Sequence, residues 1–341
     1  MTQAPLRLRL DTPALVANWT LLAQASGTAA CGAAVKANGY GLGARGVVQR
    51  LAAAGCRDFF VATWAEARAI ADPGVAISVL HGVRAEDLAD RPDNARPVLA
   101  SAEQVRRWRE AGGGACDVMV DTGMNRLGVS PQAVADGLLD GLAIETLMSH
   151  LVSADEDVAL NARQRDAFAA LAGRTPARRM SLANSAGIAL GAGYHFDLTR
   201  PGIALYGGRQ RPAHAALRQV VTPEAQILQR RRVPAGETIG YNATYTAPRD
   251  MEVAILNLGY ADGYLRCFSS KGMARAGGAE LPVVGRVSMD LTALCVDAAP
   301  DLAEGDWVAM DYNLPGTAAL SGLSQYELLT GLGPRFDRMW S

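Results

Sequence analysis

A chain of 341 residues exceeds the length at which a single hydrophobic core usually stops growing, so two domains are expected. Apolar residues make up 49% and charged residues 20%, enough for a substantial core. With 33 basic against 34 acidic side chains the net charge is −1, which argues against nucleic acid or an anionic membrane as partner.

The N-terminal "MTQAPLRLRLDTPAL" carries arginines where a secretory leader needs an apolar stretch, so a cytoplasmic protein is expected. Within it "LRLRL" alternates strictly, as a half-exposed antiparallel strand does. From residue 11 to 218, strand-length apolar runs alternate with longer Ala-, Leu- and Arg-rich runs of helical period. Strands are predicted at 6–10, 30–35, 58–62, 76–80, 97–99, 116–120, 143–149, 180–182 and 196–198. Helices are predicted over "TWAEARAIA", "SAEQVRRWREA" and "SADEDVALNARQRDAFAALAG". The last two open on a serine followed three residues later by an amide or acid, a helix-start signature.

Such alternation builds a parallel sheet with right-handed crossovers, and eight units close a (β/α)8 barrel of the TIM type. One predicted strand is then surplus, and 6–10 is assigned elsewhere. After residue 220 the character changes. "AQILQRRRV", "EVAILNLGY", "ELPVVGRVSMDLTALCV" and "DWVAM" are short, β-rich and separated by Gly, Pro and Asp. The expectation is a barrel over 11–218 and an all-β domain over 222–341, itself a small barrel, that includes 1–10. A final helix is predicted in "SGLSQYELLTGL", opened by Ser324 and closed near Gly331 and Gly333. Five scattered cysteines without a CxxC pair suggest neither a disulfide framework nor a zinc site.

In a TIM barrel the chemistry sits on the loops that follow the strands. The second predicted strand leads into Lys36, Asn38, Gly39 and Tyr40. The sixth predicted strand leads into "DTGMNRLG" with Asp121, Asn125 and Arg126, the seventh into "SHL" with His150. "ANSAG" then brings Asn184 and Ser185, and "TRPGIALYG" brings Arg200, Gly202 and Ile203. Each alone could be a cap, a turn or a solvated charge. Several at one barrel end are harder to dismiss. A hydroxyl and backbone N–H groups beside Gly-rich turns suit a phosphate. A strand-end lysine facing a phosphate-bearing ligand suggests pyridoxal 5′-phosphate held as a Schiff base. No GxGxxG or P-loop pattern occurs. The β-rich part adds "GYNATYTA" and "NLGYADGY". Tyr245 and Tyr264 read as packing residues, while "GRVSMD" places Met289 and Asp290 in a turn.

Through "AVKANGYG", "DTGMNRLG", "SHL", "ANSAG", "RPGIALYG", "GYNATYTA", "LGYADGY" and "GRVSMD", in that order, the chain resembles the alanine racemase family, the fold-type-III enzymes dependent on pyridoxal phosphate. The resemblance implies that Lys36 carries the cofactor and that Tyr40, Ser185 and the backbone of Gly202 and Ile203 hold its phosphate, with Asn184 alongside. It places Arg126 near the phenolic oxygen and the substrate carboxylate, Arg200 at the pyridine nitrogen, and His150 as a brace for Arg200 and the catalytic tyrosine. Tyr241 becomes the second base, and Met289, Asp290 and Tyr260 line the substrate site. The implied assembly is a head-to-tail homodimer in which Tyr241 and Met289 reach the other subunit's site. No metal is implied.

Racemisation removes a proton from one face and returns one to the other, so two bases must flank the cofactor. An ordinary amine and phenol titrate near about 10.4 and 10, so both need their surroundings to become useful, and Arg126, Arg200 and His150 are the cations expected to provide them. Arg200 bears on reaction type, because a guanidinium only donates hydrogen bonds and leaves the ring nitrogen unprotonated. That favours racemisation over transamination, and over a decarboxylase, which places an acid there. A racemase of broader specificity, acting for example on serine, is the alternative. A non-catalytic carrier would lack the β-domain. Several positions depart from the family pattern: Leu42 for histidine, Met119 for a carbamylated lysine, Asn242 for glycine, Ser288 for cysteine, and Pro334 near the place of a tyrosine. The product would serve peptidoglycan supply or alanine catabolism.

Overall fold

A computed structural model describes residues 4–72 and 74–341. Two compact units form. One spans Pro13–Arg218, and the other joins Gln219–Ser341 to the N-terminal segment through Thr12.

The first unit is the parallel barrel. Strands Ala33–Ala34, Asp58–Val61, Ala76–Val79, Ala95–Leu99, Ala115–Met119, Ala143–Met148 and Arg179–Ser181 pair in sequence order, all parallel. The short strand Leu198–Thr199 closes the ring. It pairs with Ala30–Cys31 on one side, and on the other Asp197 N donates to Met180 O at 3.0 Å and Arg200 N to Ala183 O at 2.8 Å. Sequential parallel pairing follows from the helices between strands, which cover the outer face and leave both sides of each strand buried. Phe59, Phe60, Val61, Ile77, Val79, Val98, Leu99 and Val118 are accordingly closed to solvent.

One layer of the barrel interior is ionic. Buried Asp117 accepts from Ser78 Oγ at 2.6 Å and from Arg96 Nε at 2.9 Å, while Arg179 Nη2 reaches Asp58 Oδ1 at 2.7 Å. Each buried charge is thus paired, as low-dielectric surroundings require.

Helices Trp64–Ala69 and Ala102–Glu110 lie where expected. Thr63 and Ser101 cap them, accepting from Glu66 N and Gln104 N. The helix predicted from Ser153 is corrected: it begins only at Ala159 and ends at Ala169, with no side-chain cap. Asn161 Nδ2 donates back to Ser153 O and Glu156 O, at 3.0 and 2.8 Å, and so folds "SADED" into turns. Gln164 on the same helix accepts from Val152 N and donates to His150 O, anchoring the loop behind His150.

In the second unit, six antiparallel strands close on themselves. Val221–Val233 pairs with Met251–Leu256, which continues through Thr292–Cys295, Ala279–Val284, Met273–Ala276 and Trp307–Met310 back to Val221–Val233. The predicted small barrel is therefore present. Strand Leu6–Leu10 pairs antiparallel with the long first strand and parallel with Asp337–Trp340, so the N-terminal strand belongs here. Tyr264 is buried and stacks on Phe268 with centroids 4.5 Å apart, and Tyr245 packs on the core around Ile239 and Val253, as expected of both. Ser324 opens helix Gln325–Thr330 with a complete capping box to Glu327. A second helix, Leu314–Ser321, precedes it.

Candidate active site

The turn after the first barrel strand is the most constrained backbone in the barrel. Ala37, Asn38, Gly39 and Tyr40 have φ of 52, 53, 65 and 55°, four left-handed residues in succession. Each non-glycine residue there costs about 1–2 kcal/mol, less for asparagine, so the surroundings must hold the turn. They do. Gly39 N donates to Val35 O at 2.8 Å, Gly41 N to Ala37 O at 2.9 Å, and Asn38 Oδ1 accepts from Ala44 N at 3.0 Å. Glu66 bridges from the first turn of helix Trp64–Ala69, accepting Ala37 N on one oxygen and Ala62 N on the other, both at 2.7 Å. The result is a rigid mount for Lys36. The residue as a whole is exposed, yet burial of its amine lowers its pKa, with Arg126 lowering it further and Glu66 opposing.

Tyr40 turns inward, with its ring 4.8 Å from that of Tyr206, whose hydroxyl donates to Ala34 O at 3.0 Å. Beside it stands Gly202. A Cβ at this position would lie 2.2 Å from Tyr40 Oη, so only glycine admits the tyrosine. Ser185 Oγ accepts from Gly202 N at 2.8 Å and Ala204 N at 3.2 Å. Among the described residues the N–H of Ile203, between them, has no partner. Tyr40 Oη, Ser185 Oγ and Ile203 N–H form a small donor cluster suited to an anion with several oxygens. The Gly202 N–H, expected to join them, is directed to Ser185. Asn184 acts locally, its side-chain oxygen accepting from Gly187 N at 2.9 Å as a helix cap.

Arg200 follows the last barrel strand and is buried. It donates through Nη1 to Ser181 Oγ and through Nη2 to Ser149 O, at 2.6 Å in the latter case, and its guanidinium lies 5.9 Å from the Phe60 ring centroid. Burial pushes its pKa down to about 10 while Asp117 holds it up, so it remains a cation at neutral pH. Asp121 Oδ1 collects the N–H groups of Gly123 and Met124, both at 2.8 Å, shaping the loop that carries exposed Arg126.

His150 overturns one expectation. It was to be a third cation, yet burial, then Arg200, Arg126 and Lys36, push its pKa down to about 3. It is neutral at neutral pH. Three neighbouring positive groups leave no room for a fourth.

Two segments of the β-unit carry the remaining candidates. Tyr241 sits at the tip between the paired strands Thr238–Ile239 and Tyr245–Thr246 and is 69% exposed. Asn242 and Ala243 beside it have φ of 62 and 50°. Tyr260 and the turn bearing Met289 and Asp290 are joined, with Tyr260 N donating to Ser288 O and Ala261 N to Met289 O, both at 3.0 Å. Met289 is 55% exposed.

The N-terminal domain model of alanine racemases matches residues 10–210 and the C-terminal domain model matches 220–340. The chain belongs to the alanine racemase family. It is 44% identical to the alanine racemase of Acidiphilium cryptum, over 97% of this chain and 98% of that one. The crystal structure of alanine racemase from Bartonella henselae with covalently bound pyridoxal phosphate shares 34% identity at a TM-score of 0.88, covering 98% of this chain and 99% of that one. The biosynthetic alanine racemase from Pseudomonas aeruginosa shares 31% at the same TM-score over the whole of both.

Set beside other alanine racemases, Met119 ends its strand with its carbonyl taken by Val129 N, and its thioether brings no charge to Arg126. Leu42 is wholly buried, a packing residue. Sequence reading missed Glu66, Ser181 and Tyr206, which mount Lys36, Arg200 and Tyr40. Only Glu66 had a local signal, the Thr63-x-x-Glu66 capping pattern.

Proposed function

We propose that the protein interconverts L-alanine and D-alanine with pyridoxal 5′-phosphate as its cofactor. The observation that carries this reading is Arg200, a buried cation at the barrel end that also bears Lys36 and the Tyr40–Ser185–Ile203 donor cluster. When bound, the cofactor's ring draws off the electron pair left as the α-proton departs.

The chain's own groups do the rest. Lys36 would hold the cofactor through Nζ, and Tyr40, Ser185 and Ile203 would fix its phosphate. Arg200 can only donate, so beside the ring nitrogen it would favour the unprotonated form and a weaker electron sink, which would favour returning the proton over side reactions. Lys36 Nζ serves one face as base, helped by the lowered proton affinity of its crowded amine. Tyr241 Oη serves the other. Neutral His150 braces the site without adding charge. Arg126 takes the substrate carboxylate, and the Met289–Asp290 turn with Tyr260 bounds the substrate.

The same reading includes a head-to-tail homodimer, supported by the exposure of Tyr241 and Met289 in the single chain. It also includes a cytoplasmic location, consistent with five free cysteines, where the D-alanine is available for peptidoglycan precursors. Among the described residues no helix is long and apolar enough to cross a membrane.

The test follows optical activity of the cofactor-loaded protein with L-alanine, D-alanine, L-serine and L-lysine. Solutions of either alanine enantiomer should decay to zero signal, faster than serine or lysine. Persistent rotation with alanine refutes the reading. Borohydride reduction should fix pyridoxal phosphate to the parent protein and not to Lys36→Ala.

A further inference from the structure

The C-terminal loop runs Gly331-Leu332-Gly333-Pro334-Arg335 and docks on two loops of the same unit. Gly333 N donates to Asp262 O at 3.1 Å. Arg335 then forks. Its Nε donates to Asp262 Oδ1 at 2.6 Å and its Nη1 to Asp290 Oδ1 at 2.7 Å. The two carboxylates differ sharply in setting, Asp262 being 1% exposed and Asp290 49%. Asp262 is further fixed by Gly259 N at 2.9 Å. Gly259 lies so close to the turn that a Cβ there would stand 2.3 Å from Met289 O.

We infer that Arg335 is a positioning residue for substrate binding, clamping the Ser288–Met289–Asp290 turn to the Tyr260 loop. The inference rests on the proposed function, since it assumes that this turn faces the amino acid. Its physical basis is the asymmetry of the fork. The buried Asp262 arm anchors the guanidinium, because a closed-off carboxylate needs its cation. The Asp290 arm is half in water, where an ion pair adds little stability. What that arm does is hold a turn. The Met289 N–H has no hydrogen-bond partner among the described residues, so a turn held in register can present it to a carboxylate. Arg335 also neutralises Asp290, which would otherwise repel a substrate bearing its own carboxylate.

The test compares cofactor-loaded Arg335→Ala, Arg335→Lys and Asp290→Ala with the parent. For Arg335→Ala, KM for L-alanine should rise about tenfold while kcat falls by no more than about threefold, the signature of lost binding rather than lost chemistry. The cofactor absorption should not change. Arg335→Lys should recover part of the loss, because an ammonium restores charge but not the two-pronged geometry. The double variant Arg335→Ala/Asp290→Ala should be no worse than the poorer single one. A KM within about twofold of the parent in Arg335→Ala, or kcat and KM damage that simply adds in the double variant, overturns the inference. If Arg335→Ala fails to fold, Asp290→Ala must still show the KM rise, or the inference falls. If the parent does not racemise alanine, the functional reading fails on its own. The clamp is then judged by the 13C-methyl resonance of Met289, identified with Met289→Leu: it shifts in Arg335→Lys if the clamp exists and stays if it does not.

Discussion

At the scale of single residues, His150 shows how position overrides chemical type. Histidine ordinarily titrates near about 6.5, within reach of physiological pH. Here burial and three neighbouring cations drive it to about 3. In that interval the unfolded chain binds the proton and the folded chain does not, so stability falls as pH drops from about 6.5 toward about 3. His150→Gln removes the titrating ring and keeps a group able to hydrogen-bond. Its melting temperature should therefore fall less than the parent's between about pH 7 and about pH 5. Equal losses in the two proteins would show that folding does not lower the proton affinity of His150. Neutrality also suits the site, since a third full charge beside Arg200 and Arg126 would raise the cost of protonating Lys36 further.

Among elements, the left-handed turn at 37–40 and the close pass of Gly202 over Tyr40 are one construction. The turn aims the tyrosine ring inward, and the missing side chain at 202 leaves its hydroxyl room. Gly202→Ala places a Cβ 2.2 Å from that oxygen, which forces Tyr40 out of the cradle. The expected result is a folded protein whose affinity for pyridoxal phosphate drops at least about tenfold, read by absorption titration of protein stripped of cofactor. Unaltered affinity would remove Tyr40 and Gly202 from the cofactor's surroundings. Part of this was legible in "KANGYG", where Asn38 and Gly39 suit left-handed backbone and the lysine ends an apolar run. The brace from Glu66 was not, because it joins residues 29 apart that only the closed barrel brings together. Elements misled in the same way. "SADED" has the composition of a helix start, yet Asn161 claims the carbonyls of Ser153 and Glu156 from beyond it. Helix Leu314–Ser321 was not predicted, and its Pro315-Gly316 pair is by composition a turn signal. Proline is favoured in a first helical turn, and Asn313 supplies the cap.

For the whole molecule the question is which chain completes each site. Tyr241 and Met289 stand 69 and 55% exposed at loop tips of the β-unit. At the barrel's loops Leu127 and Val152, next to Arg126 and His150, are 48 and 40% exposed. Large apolar and aromatic groups left open in this manner are what a subunit interface covers. Mixing separates the two alternatives. In a heterodimer of Lys36→Ala and Tyr241→Phe chains, a site built from both subunits gathers the two intact groups in one place and the two defects in the other. A site built from one chain is defective in both places. Each parent homodimer should be nearly inactive. Unfolding and refolding an equal mixture makes about half the dimers mixed, each with one good site, so activity should return to about a quarter of wild type. Return to that level would also require Lys36 and Tyr241 to act together at a single substrate, which ties the amine of the barrel to the phenol of the β-unit. A mixture no more active than its components would assign Tyr241 to its own chain's site, and the shared-site homodimer would have to be abandoned.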